Sequence, residues 1–545
     1  MDRSTISRRD FVTHSMAAAG AAVTCPALLH AEEGARRRPN VVLIVTDDQK
    51  LDHFGFLRKE ALTPNMDRLA AEGMFFSRAY TSTSVCTPSR FSCFTGSYAS
   101  RCSSPSFLKS YTTEGQTNVQ WNTELNYEKH TLPKVMRAAG YVTGMVGKWH
   151  NGAPRAWSRI RDKIKPSDDP NEPRVAKVLA ETQEAIHEFI RQQGFDYAAS
   201  INMGNFGSYP IRSMRYHNQE WITKGALDFI DQNKDRPFFL YMATSLMHGP
   251  PPTKSLRADP RITHGGMLDR PLDVQPSRKN VLERTRAAKI PDALAAATWL
   301  DDGIGAVMKK IADQGLDNDT LFVFFDDQGM EQGKGSCYEG GVRTPAFVRW
   351  KGRLQPGRTS ALVQGIDLAP TIFDACGIEP PKDMLMDGTS LMPLLRGDSK
   401  AIRDSLYLEI GHTRAVCTQK WKYLAFRIPP SRQLSPEQRK EMLEKYAASK
   451  LKREGKTITN KPDDPLSHLG IPGGQNTEQH GPMKRYRNVY YDPDQLFDLE
   501  NDPGETKNLA TNPKYRPVLD QMKAELKKHL ARTPGTFAEF KSKNN

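Results

Sequence analysis

At 545 residues and 61.2 kDa the chain is too long for one compact core, and its mean hydropathy of −0.61 excludes a polytopic membrane protein. Charged residues at 26% are ordinary for a globular protein, which argues against wholesale disorder, and seven scattered cysteines make neither a disulfide scaffold nor a zinc-ligand set. The formal charge of +14 favours polyanionic partners in general, but the basic residues form no dense block and no nucleic-acid partner is expected.

The first segment, Ser7-Arg8-Arg9-Asp10-Phe11 followed by an Ala-rich apolar run to Val23, reads as a twin-arginine signal over residues 1–31. The apolar run is shorter than the ~20 residues a membrane span needs. A periplasmic or secreted protein follows, with the twin-arginine export machinery as a partner and no stable membrane insertion. After Arg36-Arg37-Arg38-Pro39, the continuous run Asn40-Val41-Val42-Leu43-Ile44-Val45-Thr46 predicts a strand buried on both faces. Thr63 as N-cap, Pro64 at the first helical position and Gly73 as the stop predict a helix, and residues 131–140 repeat the device with Pro133 and Gly140. Strands are expected at 141–146, 237–243 and 320–325, and a helix at 293–311 ending near Gly315. Strands alternating with helices imply an α/β fold with a large, mostly parallel sheet flanked by helices, whose site lies past the strand carboxyl ends. A catalytic domain over 38–400 and a C-terminal subdomain over 401–545 are expected. In the latter, Ser435-Pro436-Glu437-Gln438 forms a capping box opening a helix to about residue 454, closed by Gly455. Its basic residues Arg439, Lys440, Lys450, Lys452 and Arg453 face solvent or an acidic substrate, and 456–490 reads as a long loop.

Two acidic pairs follow two of these strands: Asp47-Asp48, before Gln49, and Asp326-Asp327, before Gln328. Adjacent acids repel unless a cation compensates, and oxygen-only ligands select Ca²⁺ or Mg²⁺ over zinc. Helix capping is the alternative use of such aspartates. In Cys86-Thr87-Pro88-Ser89-Arg90 a proline-stiffened turn places a cysteine one helical turn before an arginine, at a helix start that favours an anion. Spacing alone leaves a thiolate enzyme open.

The Cys86–Arg90 pentapeptide resembles the Cys-x-Pro-x-Arg signature of the formylglycine-dependent sulfatases, of the alkaline-phosphatase-like superfamily. The likeness extends in order through residues 40–48, Thr95-Gly96, Gly147-Lys148-Trp149-His150, Asp327-Gln328-Gly329, residues 334–345 and residues 496–505. The family's fold is α/β with a smaller C-terminal antiparallel sheet. The resemblance implies a sulfuric ester hydrolase acting on sulfated carbohydrates. It implies that a formylglycine-generating maturation enzyme converts Cys86 to formylglycine, whose hydrated aldehyde is the nucleophile. It implies one Ca²⁺ held by Asp47, Asp48, Asp327 and Gln328 beside residue 86. Arg90 then stabilises the residue-86 alkoxide, and Lys148 and Lys334 hold sulfate oxygens. His150 assists at the diol, and His248 protonates the leaving alcohol. Met247 replaces a proline common before this histidine, and Gln328 stands where Asn or His is commoner. Without the motif, Lys148 and His150 read as a surface loop and His248 as a turn residue. Cys93 and Cys102 could pair as a disulfide or stay free. A phosphonate monoester or phosphodiester hydrolase of the same superfamily, and a glycan-binding pseudoenzyme, are the competing readings.

Overall fold

Residues 41–45 are all apolar because their strand is covered on both sides. Val41, Leu43 and Val45 enter one core cluster, and Val42 and Ile44 enter another on the opposite face. The same alternation splits Phe239, Tyr241 and Ala243 from Phe238, Leu240 and Met242, and Leu321, Val323 and Phe325 from Phe322 and Phe324. A strand with period-2 side chains and two buried faces needs an unbroken apolar run, and that is what the sequence carries at these places. The computed structural model describes residues 38–542 apart from 330, 332, 456, 459, 464, 465 and 472–488. The signal at residues 1–31 and much of the loop expected over 456–490 lie outside the described residues, as does the side chain of Arg453.

In chain order the strands are β1 (Asn40–Asp47), β2 (Met74–Tyr80), β3 (Val142–Lys148), β4 (Tyr197–Asn202) and β5 (Phe238–Met247). A short hairpin follows, β6 (Ile262–Thr263) and β7 (Gly266–Met267), then β8 (Thr320–Asp326), β9 (Arg343–Trp350), β10 (Gly357–Thr359) and β11 (Val363–Gln364). The last four are β12 (Leu406–Ile410), β13 (Thr413–Cys417), β14 (Trp421–Phe426) and β15 (Asp494–Asp498). The large sheet runs β10-β2-β9-β8-β1-β5-β3-β4, with β11 also on β2. Strands β8, β1, β5, β3 and β4 are mutually parallel, while β9 runs antiparallel to both β8 and β2. The second sheet, β12-β13-β14-β15, is small and wholly antiparallel. The fold is therefore a mixed, mostly parallel sheet flanked by helices, with a separate small antiparallel sheet toward the C-terminus.

Helix Cys86–Thr95 covers one face of the large sheet through Phe91, Cys93 and Phe94. Helices Gln219–Asn233 and Ala295–Asp313 cover the other through Ile222, Phe229, Trp299 and Ile304. The expected capping box forms: Ser435 Oγ accepts from Gln438 N at 3.2 Å, and helix Pro436–Glu454 ends on Gly455 at φ 66°. Thr63 occupies its expected N-cap position, but its hydroxyl does not cap. It accepts from Gly55 N and donates to Asp67, while the helix Pro64–Ala71 is capped from afar by Asp301, which accepts from Asn65 N at 3.1 Å and Met66 N at 2.7 Å. The strands run further than their apolar cores suggest, because neighbours continue to supply backbone partners, and Lys148, Asp47 and Asp326 end strands rather than begin loops. Cys93 and Cys102 are both free and buried, Cys102 in contact with Ser104 at 3.3 Å.

Gly147 marks where β3 delivers its last residue to the site. Its φ is 90°, and a Cβ there would lie 1.8 Å from the Ala243 carbonyl oxygen of β5. Gly147→Ala is expected to cost about 2 kcal/mol or more and to displace Lys148, because left-handed backbone and a rigid carbonyl both oppose the added carbon. The urea midpoint checks this; an unchanged midpoint contradicts the close approach.

Candidate active site

Four neighbouring parallel strands deliver the site residues to one edge: Asp327 after β8, Asp47 and Asp48 at the end of β1, His248 after β5, and Lys148 at the end of β3. Cys86 enters from above, at the start of a ten-residue helix whose every residue is buried. Its thiol donates to Asp47 Oδ1 at 3.5 Å and accepts from Gln328 Nε2 at 3.2 Å and Lys334 Nζ at 3.8 Å. Burial first, then Asp327 and Asp47, push the Cys86 thiol far up, so it stays neutral and thiolate chemistry gains no support.

Around it, carboxylates and cations interleave. Lys148 Nζ donates to Asp47 Oδ2 at 2.5 Å and to Asn205 Oδ1 at 2.9 Å. Lys334 Nζ bridges both oxygens of Asp48 at 2.6 and 2.9 Å. Arg90, with no accessible surface, donates from Nε to Asp327 Oδ2 at 2.9 Å and from Nη1 to the Lys148 carbonyl and Tyr241 Oη, both at 3.2 Å. Arg90 thus acts on Cys86 through its charge; its hydrogen bonds go to the carboxylates and backbone around it. Burial alone would raise the Asp47 carboxyl, but Lys148, His248, Arg90 and Lys334 together hold it well below the ordinary range. Asp327 goes the other way, pushed up to about 7 by burial and by Asp47. The two acids are separated by the cations each can reach.

The histidines sit at different depths. His248 is partly exposed, with Nε2 3.8 Å from Asp48 Oδ2, and its nitrogen lies within 4.8 Å of ligand atoms of Asp47 and Cys86. Burial, then Lys148, lowers its pKa. His150 adopts φ 63°, packs near Gly204 and has a buried Nδ1 without a hydrogen-bond partner; burial and Lys148 hold it well below the usual range, hence neutral. It is placed beside Lys148 without a hydrogen bond to Cys86.

The residues present fit a hard cation. One ligand atom each from Asp47, Asp48, Cys86 and Asp327 lie within 4.8 Å of one another. Among the described residues Asp327 Oδ1 and Gln328 Oε1 are buried there with no hydrogen-bond partner, a costly condition that a cation would relieve. Gln328 Nε2 bonds Asp48 on its other side. Oxygen donors dominate, which suits Ca²⁺ or Mg²⁺.

Lys334 is positioned by the loop that follows it. Gly335 N donates to Ser84 O at 3.0 Å, Ser84 Oγ to Ser336 O at 2.6 Å, and Glu339 N to Glu505 Oε2 at 2.6 Å. The stretch after Lys334 is thus braced, and it runs into a one-turn helix over Glu339–Val342. Two contributors, Asn205 and His217, escaped the sequence reading, and Asp326, paired there with Asp327 as a site for a cation, plays another part. Asp326 turns from the nest to accept from Thr46 Oγ1 at 2.8 Å and Gln49 N at 3.2 Å, which aligns β8 with β1. His217 Nε2 meets the His248 carbonyl at 2.8 Å, and Asn205 meets Lys148. Asn205 follows a strand end, as the aspartates do, and that position was the available signal; His217 carries none.

This geometry has counterparts in known proteins. The sulfatase family model matches residues 39–378, and a model of the N-sulphoglucosamine sulphohydrolase C-terminal region matches residues 329–429. Human arylsulfatase A is 28% identical over 521 residues, covering 87% of this chain and 83% of the relative. Dog N-acetylgalactosamine-6-sulfatase is 26% identical, covering 71% of this chain and 72% of the relative. Among solved structures, one from Bacteroides thetaiotaomicron described under the metabolism of multiple glycosaminoglycans superposes with a TM-score of 0.58 at 19% identity, covering 91% of this chain and all of that one. Ps i-CgsB in complex with k-i-k-neocarrahexaose superposes with a TM-score of 0.55 at 20% identity, covering 90% of this chain and 93% of that one. These last two establish shared fold alone. With the family model spanning more than half its length and including every residue of the charged nest, the chain belongs to the sulfatase family and is a sulfuric ester hydrolase.

Proposed function

We propose that the protein removes sulfate from sulfated poly- or oligosaccharides with a formylglycine at position 86 and one Ca²⁺. The observation that carries this reading is the nest of Asp47, Asp48, Asp327 and Gln328 closing on Cys86, with two buried oxygens unpartnered and two lysines alongside. The name of one relative, N-acetylgalactosamine-6-sulfatase, and the k-i-k-neocarrahexaose in complex with Ps i-CgsB support a carbohydrate ester. Asp47, Asp48, Asp327 and Gln328 would hold the Ca²⁺, which supplies polarisation of a sulfate oxygen. The formylglycine hydrate supplies an oxygen nucleophile in place of a thiol that burial keeps neutral.

The chain's own residues do the rest. Lys148 and Lys334 bind sulfate oxygens and stabilise charge building on them in the transition state, worth a few kcal/mol per donor. Arg90 holds Asp327 and Asp47 in register and keeps positive potential under position 86. His150, neutral and without a partner at Nδ1, can take a proton at position 86. His248, at the more open side, gives its proton to the departing alcohol oxygen; a bound sulfate monoanion opposes the burial that lowers its pKa and favours the protonated ring. Cys86 has no accessible surface, so the maturation enzyme must meet it before the fold closes. Among the described residues no helix is long and apolar enough to cross a membrane, and export by the twin-arginine route, giving a periplasmic or secreted enzyme, accords with this reading.

Two outcomes follow. Peptide mass spectrometry of active enzyme should find formylglycine at position 86, and Cys86→Ala should abolish turnover of sulfate esters while leaving the unfolding free energy from urea titration within about 1 kcal/mol. Full activity with an unmodified thiol, or faster turnover of matched phosphate esters, overturns the reading. In dialysed protein, Ca²⁺ content should be stoichiometric, and Gln328→Ala should weaken it less than Asp47→Ala, since a neutral carbonyl contributes less than a carboxylate. Stoichiometric zinc, or equal loss in both variants, contradicts the assignment.

A further inference from the structure

Beyond the nest, a cluster of arginines lies where the loop after β4 turns outward. Arg161, Arg212 and Arg215 line a cavity of about 550 Å³ with Ile164, Gly207 and Pro210. That volume falls within the ~300–1,000 Å³ range of ligand sites. None of the three arginines has a carboxylate within ion-pair distance among the described residues. Two of them donate to backbone carbonyls: Arg161 Nη2 to Ser208 at 2.6 Å, Arg215 Nε to Tyr209 at 2.8 Å, and Arg215 Nη2 to Pro210 at 3.4 Å. Those bonds hold Arg161 and Arg215 and leave their charges uncompensated, while Arg212 is exposed at the rim. Burial, then Arg161 and Arg212, lowers the Arg215 pKa, the mark of cations crowded without an anion.

The cavity is joined to the catalytic nest by a short, braced loop. Asn205 accepts from Lys148 Nζ, Ser208 Oγ donates to the Asn205 carbonyl at 2.6 Å, and Met203 N donates to Tyr209 Oη at 3.2 Å. Gly207, on the cavity wall, is two residues from Asn205, so their Cα atoms lie within about 8 Å. Trp157 and His264 pack on Tyr209 and stiffen the turn, with ring centroids at 4.8 and 4.1 Å.

We propose that the Arg161–Arg212–Arg215 cavity is a second anion subsite, which takes a sulfate or carboxylate on a sugar neighbouring the one being desulfated. The inference rests on the carbohydrate reading above and narrows it: the substrate is a multiply charged oligosaccharide, not a singly sulfated sugar or aryl ester. Arginine suits this work because its planar fork binds sulfate and carboxylate oxygens in pairs.

Equilibrium binding to the Cys86→Ala protein tests the subsite without turnover. The probes are an oligosaccharide sulfated on adjacent sugars, its singly sulfated counterpart, and a singly sulfated counterpart with a neighbouring uronate. A second anion should tighten binding about tenfold or more, as charge-assisted bonds do, and the uronate probe tells carboxylate from sulfate. Adding Arg161→Ala and Arg212→Ala should bring the ratio of dissociation constants close to one. Equal affinity for all three probes, or a preference that survives both substitutions, overturns the subsite. Turnover of simple sulfate esters by the unsubstituted enzyme is scored separately: its absence defeats the catalytic reading, whereas the binding ratio alone decides the subsite.

Discussion

Three carboxylates and three cations, nearly sealed from water, share the carboxyl edge of the large sheet: Asp47, Asp48 and Asp327 with Arg90, Lys148 and Lys334. Removing one partner of such a buried pair typically costs about 3–5 kcal/mol, because the other is left charged and dry. The balance is still incomplete. Asp327 Oδ1 has no partner, and its carboxyl sits at about 7 while Asp47 is held far lower. A divalent cation among these oxygens would lower the cost of ionising Asp327 and would release the lysines to meet an incoming anion.

The small antiparallel sheet is coupled to this nest by a second buried ion cluster. Lys422 of β14 meets Glu339 Oε1 at 3.0 Å and Glu505 Oε1 at 3.1 Å, with no accessible surface on the lysine. Burial pushes Glu505 up to about 7, whereas at Glu339 Lys422, Arg343 and Arg78 together outweigh burial and hold its carboxyl below the ordinary value. Glu339 begins the short helix that closes the Lys334 loop, so the C-terminal residues fix the position of Lys334 from outside the large sheet. This accounts for Glu505 being buried in a chain segment that otherwise turns at the surface.

Local patterns were the legible ones. The 41–45 run and the capping box at Ser435 express their meaning within a few residues and are found in place, while of the two acid pairs Asp47, Asp48 and Asp327 face one another and Asp326 turns to Thr46 and Gln49. Edge strand β4, Tyr-Ala-Ala-Ser-Ile-Asn, lacks an apolar run because its first three residues are only half buried, so nothing in its composition announces a strand. Asp301 capping a helix 236 residues away, His217 under His248, and three arginines drawn from residues 161–215 are products of the fold, and no window of sequence contains them. Cys86 stands out in the sequence by its place in Cys86–Arg90, yet the depth that keeps its thiol neutral comes only from tertiary packing.

Every role assigned above requires attack at sulfur and departure of the alcohol with its own oxygen. Hydrolysis of a sulfated oligosaccharide in water enriched in heavy oxygen tests that directly. The account predicts label in the released inorganic sulfate and none in the sugar hydroxyl. Label in the sugar, which means cleavage at carbon, would contradict it.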